Sequence, residues 1–164
     1  MGQLDGTANK AIGSPEFDEI AWIKSGALAN GTTMVIRRIR MDFTAWNKVS
    51  TDSKSKVIGR SLDDGRLLDS SSATAHQSRA LTKSGAGIIR RGFNYDDNYL
   101  ADGTRDAGLI FISFQAELKS YLDIQRRLNA VDSLNKYTSP VGSALFIIPP
   151  GAGKDDYLGS KFFS

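Results

Sequence analysis

Hydrophobic and polar positions fall into a few patterned segments along the chain. Thr32 to Phe43 carries β-branched and apolar residues (Thr33, Val35, Ile36, Ile39) and reads as a strand. Alternation puts Val35, Ile39 and Met41 on one of its faces and Arg38 and Arg40 on the other. Ala45 to Gly59 reads as a helix with a thin apolar stripe of Trp46, Val49 and Val57. Asp42 or Thr44 can cap it, and Gly59 suits its end. Ile88 to Tyr95 and Leu109 to Phe114 are two more strands, the second strongly apolar. Leu118 to Val131 sets Leu118, Tyr121, Leu122, Leu128 and Val131 at helical spacing. Ala144 to Ile148 is a last strand, stopped by Pro149 and Pro150.

The order strand, helix, strand, strand, helix, strand predicts an α+β, ferredoxin-like βαββαβ domain. One antiparallel sheet carries two helices on one face. Residues 1–30, rich in Gly, Ala, Asn and Pro, read as loop, and residues 31–164 as the folded domain. Between the first helix and the second strand, Arg60 to Gly87 is polar and rich in Gly and Ser. A connection of that length in a compact domain is usually functional or disordered. It holds His76, the only histidine of the chain.

Composition narrows the chemistry. A chain of 164 residues suits one ordinary domain with a real core. The absence of cysteine excludes disulfides, thiolate metal sites and thiol nucleophiles. One histidine excludes multi-histidine zinc sites and leaves acid–base work to carboxylates, lysines and tyrosines. A net charge of +3 without a long basic run does not indicate a nucleic-acid partner. No apolar stretch approaches the roughly 20 residues of a membrane-spanning helix.

Short motifs carry the reading further. Gly2-Gln3-Leu4-Asp5-Gly6-Thr7 is a GxxDG motif. In order after it come Val35-Ile36-Arg37-Arg38-Ile39-Arg40-Met41, Ile88-Ile89-Arg90-Arg91-Gly92-Phe93-Asn94-Tyr95, Ile124-Gln125-Arg126-Arg127-Leu128 and Val141-Gly142-Ser143-Ala144-Leu145-Phe146. Together these resemble the C-terminal half of the dye-decolorizing haem peroxidases, over nearly the whole chain. Gln3 departs from the family, which usually has a bulky apolar residue there. Lys10 departs too, since proline often follows the preceding Asn9 in the family.

The resemblance implies haem b as cofactor and hydrogen peroxide as oxidant, with dyes or phenols as small aromatic reductants. It implies His76 as the axial iron ligand and Asp132 as the carboxylate that holds the ligand's free ring N–H. Asp5 would move the peroxide proton, and Arg90 would stabilise the negative charge left on oxygen. Leu109 and Phe111, on one strand face, would cover the distal side of the haem. Arg38 or Arg40 would meet a haem propionate. On residue type alone each has a plainer reading: a loop histidine, an Asp-Gly turn, a solvated strand arginine, a core pair, a helix-end aspartate. The resemblance further implies a partner, an N-terminal half chain or another copy of this one. Two alternatives stand beside the peroxidase. One is a haem-binding half-protein that is inactive alone, and the other a cofactor-free ferredoxin-like interaction module.

Overall fold

The computed structural model describes residues 9–68, 73–80 and 87–162. A four-stranded antiparallel sheet is its frame: β1 (Thr32–Met41), β2 (Ile89–Tyr99), β3 (Arg105–Gln115) and β4 (Thr138–Ile148), in the order β2-β3-β1-β4. β1 and β3 lie centrally, β2 and β4 at the edges. This is the expected ferredoxin-like sheet. The strands at its edges run further than the apolar residues predict. β2 continues to Tyr99 through a polar hairpin arm, and β4 begins at Thr138 and includes Pro140. Proline survives in an edge strand, where one row of backbone donors is unpaired anyway.

The helical content departs from expectation in three places. Residues 1–30 are not all loop: α1 (Pro15–Ala21) starts at Ser14, whose Oγ accepts from the Phe17 N–H, with Pro15, Glu16 and Asp18 in its first turn. The single helix over residues 45–59 is two, α2 (Phe43–Asn47) and α3 (Thr51–Ile58). Asp42 caps the first through its Oδ1 and Ser50 caps the second, so the chain restarts at Ser50 instead of running through. Gly59 ends α3 in the left-handed region at φ 85°, which suits glycine. The polar connection carries a further short helix, α4 (His76–Ala80), and α5 spans Leu118–Val131 as the spacing predicts.

Cross-strand register sorts the sheet into two faces. Arg90, Ser113 and Val35 share one face, as do Gly92, Phe111 and Arg37, then Asn94, Leu109 and Ile39. α5 packs on this face: the Phe111 and Tyr121 ring centroids lie 6.5 Å apart, and Arg37 donates to Gln125. At its far end Met41 joins Trp46, Ile58 and Leu134 in the main buried cluster, with Tyr137 edge-on to Trp46 at 4.9 Å. The opposite face bears Ile36, Arg38, Ile110, Ile112, Phe93 and Phe146. Phe93 and Phe146 are exposed there. β4 is exposed along almost its whole length on both faces, including Leu145 and Ile147.

Candidate functional site

His76 opens α4, and three contacts seat it. Ala75 before it is fully buried and lies close to Gly59. Gln77 after it is buried against the same glycine. Thr74 is tied to the end of α5, its carbonyl accepting from the Ser133 N–H at 2.9 Å and its Oγ1 from the Ser133 hydroxyl at 3.0 Å. The imidazole consequently meets Asp132, 56 residues away in sequence, with Nδ1 2.6 Å from Oδ2. The other Asp132 oxygen accepts from the Leu134 N–H at 2.9 Å, so the carboxylate caps a 3-10 turn (Ser133–Lys136) while it faces the ring. Its side chain is 2% exposed and that of His76 29%. An ionised carboxylate only accepts, so the ring donates from Nδ1. In a neutral ring that donates from Nδ1 the lone pair is on Nε2, and Nε2 has no hydrogen-bond partner among the described residues.

Arg90 is on β2, on the sheet face that the helical layer covers, beside Gly92, which has no side chain to fill the space. Leu109 and Phe111 share that face and are only half buried. The structure thus puts Arg90, Leu109 and Phe111 on a common side, in keeping with alternation along their strands, and brings His76 to Asp132, as the family resemblance implies. Asp5 lies outside the described residues.

Arg38 and Arg40 sit on the opposite face, where both hold Asp106, at 2.7 and 3.1 Å; Arg38 also reaches Asp97 and lies over the Tyr95 ring. Burial opposes ionisation of Asp106, but hydrogen bonds from Arg40, Arg38 and Tyr95 outweigh it and hold the carboxyl below its ordinary range. The strand-β1 cation on the covered face is Arg37, held by Gln125. The signal was present in the sequence: Arg37 alternates in phase with Val35 and Ile39. Neighbouring Tyr121 has its phenol pushed up by burial and stays protonated.

A hollow of about 320 Å³ opens near the β2–β3 hairpin, lined by Phe43, Asn94, Tyr95 and Arg105 among others, without His76 or Arg90. Among the described residues no three His, Asp or Glu side chains gather to hold a metal ion. The donor set is one imidazole with a carboxylate behind it. That cannot cage a bare cation, but it suits an iron already held by four nitrogens of a macrocycle.

Residues 1–153 match the family model described as "Dyp-type peroxidase, C-terminal". The chain belongs to the Dyp-type peroxidase family. It is 36% identical to a dye-decolorizing peroxidase of Thermobifida fusca, covering 97% of this chain and 44% of that protein. It is 26% identical to a deferrochelatase of Yersinia pestis, covering 96% and 43%. Among solved structures, ferric DtpA from Streptomyces lividans superposes with a TM-score of 0.89 at 32% identity over 98% of this chain and 51% of that one. A DyP-type peroxidase from Cellulomonas bogoriensis gives 0.89 at 33%, over 99% and 51%. The chain spans about half the length of the relatives it matches.

Proposed function

We propose that this chain forms the haem-holding half of a Dyp-type peroxidase that reduces hydrogen peroxide and oxidises small aromatic reductants such as dyes or phenols. The observation that carries the reading is the His76–Asp132 pair. It leaves one imidazole nitrogen free, in the helical layer that covers the Arg90, Leu109 and Phe111 face. Haem, when bound there, supplies a redox-active iron for peroxide reduction. His76 would hold the iron through Nε2, and Asp132, by accepting from Nδ1–H, would fix the tautomer and make Nε2 the stronger donor. The Arg90 guanidinium, on the covered sheet face, would stabilise the negative charge left on oxygen as the O–O bond breaks. Asp5 takes the proton from one peroxide oxygen and returns it to the other. Leu109 and Phe111 keep water from this face, and Arg37 offers a cation for a haem propionate.

The complete catalytic unit, in this reading, includes a second half, supplied by an N-terminal half chain or another copy. Two facts support it: the relatives are about twice as long, and the sheet face opposite the helices leaves Phe93 and Phe146 exposed.

The test is spectroscopic first. Haem added to the purified protein is expected to give a histidine-ligated Soret band, and His76→Ala to lose it or convert it to a weakly ligated form. A His76→Ala protein that keeps the parent band and peroxide turnover overturns the assignment.

A further inference from the structure

β2 is an edge strand, so alternate residues along it turn their N–H and C=O away from the sheet. At Arg90 both outward groups are taken by one side chain. Asn9 Nδ2 donates to the Arg90 carbonyl at 2.7 Å, and Asn9 Oδ1 accepts from the Arg90 N–H at 3.0 Å, across 81 residues of sequence. A carboxamide presents one donor and one acceptor side by side, as a paired strand residue does. Asn9 therefore acts as a one-residue strand partner for the backbone of Arg90. Two bonds at one residue hold both position and orientation, which a single bond cannot. The fit is specific to asparagine. Aspartate keeps the acceptor but loses the donor, glutamine moves both by a methylene, and alanine removes both.

The two ends of this clamp matter to the proposed chemistry. One is the backbone of the arginine given the charge-stabilising role. The other lies four residues after Asp5, so by chain length alone the Cα atoms of Asp5 and Asn9 stand at most about 14 Å apart. Groups that act together on one small molecule must be held to about half an ångström. We propose that Asn9 is a positioning residue for peroxide chemistry, tying the stretch of chain that follows Asp5 to the strand that bears Arg90. The proposal rests on the peroxidase reading above, and nothing requires Asn9 to touch haem or peroxide.

Backbone amide exchange measured by NMR on the haem-free protein tests the clamp without any cofactor. Asn9→Ala should speed exchange of the Arg90 amide tenfold or more and leave the β3 amides unchanged; Asn9→Asp should keep most of the protection. Stopped-flow reaction of the haem-loaded protein with peroxide tests the role. Asn9→Ala should slow it tenfold or more at unchanged haem affinity, with Asn9→Asp between it and the parent. In an Asp5→Asn background, Asn9→Ala should cost less than it does alone, because the group it positions is already disabled. An unchanged Arg90 amide in Asn9→Ala overturns the clamp. A peroxide rate within twofold of the parent, or losses that simply multiply in the double variant, overturns the positioning role. A parent protein that takes up haem but ignores peroxide both alone and when joined to its second half refutes the peroxidase reading and this role with it, while the exchange result stands separately.

Discussion

Asp132→Asn separates the chemical work of the His76 pair from its structural work. Asp132 uses different oxygens for its two partners: Oδ2 faces His76 Nδ1 at 2.6 Å, and Oδ1 accepts from Leu134 N–H at 2.9 Å. Asparagine keeps the shape and one oxygen. With that oxygen on the Leu134 N–H, the amide NH₂ faces Nδ1, and the ring must accept there and carry its proton on Nε2. That is the atom proposed to bind iron. A hydrogen bond to a charged group is worth about 1.5–3 kcal/mol, and each 1.4 kcal/mol is roughly tenfold. The expected loss of haem affinity is therefore about 10- to 100-fold, within the usual range for removing the partner of a metal-bound histidine. Asp132→Ala should lose at least as much affinity. It should also destabilise the haem-free chain by about 1 kcal/mol, because the turn loses its cap. Haem titration followed at the Soret band gives the first quantity, and urea denaturation of the haem-free chain the second. An Asn variant that binds haem within twofold of the parent would refute the reasoning, since Asp132 would then be a cap and nothing more.

Arg90→Leu and Asp5→Asn should leave haem bound while at least one of them slows the reaction with peroxide by about 10²–10⁴-fold; stopped-flow rates unchanged in both would remove them from the mechanism. Trp46, 2% exposed in the main cluster, should cost about 3–5 kcal/mol on replacement by alanine, read by urea denaturation, and a loss under 1 kcal/mol would show that the cluster is not the core it looks to be. Asp106 is held ionised below its ordinary value of 3.8 against burial, by Arg40, Arg38 and Tyr95. A carboxyl depressed in the folded state stabilises above its unfolded pKa, and that contribution fades as the pH falls through the folded value. Asp106→Asn should thus lower the melting temperature at pH 7 and differ less from the parent near pH 3, and an equal gap at both would contradict the pairing.

The sequence makes the frame legible where pattern and geometry coincide. Leu118 to Val131 has helical spacing, and the structure has α5 over that span; Tyr121 of the expected stripe is buried together with Ile124, while Leu122 and Val131 are exposed. β1 and β3 are central strands with apolar residues on both faces, so their composition identifies them. β4 is harder, because Pro140 and Gly142 read as breakers, yet an edge strand tolerates both. The split at Ser50 was hidden because an N-cap serine looks like any polar helix residue until its φ and ψ are known. Arg90, Leu109 and Phe111 follow from alternation once the strands are set. The His76–Asp132 contact does not, since nothing local in the sequence brings α4 to the end of α5. That expectation came from the family resemblance, and the Thr74–Ser133 bonds are its physical cause. Arg37 is inward by its phase along β1, in step with Val35 and Ile39, and it meets Gln125 there.

β1 writes two messages in one line of text. Consecutive arginines go to opposite sides of the sheet: Arg37 to the helical layer and Gln125, Arg38 to Asp97 and Asp106. Substituting either damages one side only. Deleting or inserting one residue upstream in the strand would exchange the sides, turning Val35 and Ile39 away from the helices and Arg38 and Arg40 toward them. This stretch is therefore tolerant of spelling errors and intolerant of frame errors. Any change of length in lineages of this protein belongs in its loops, at the hairpin after Tyr99 or the connection after Gly59, and not between Thr32 and Met41.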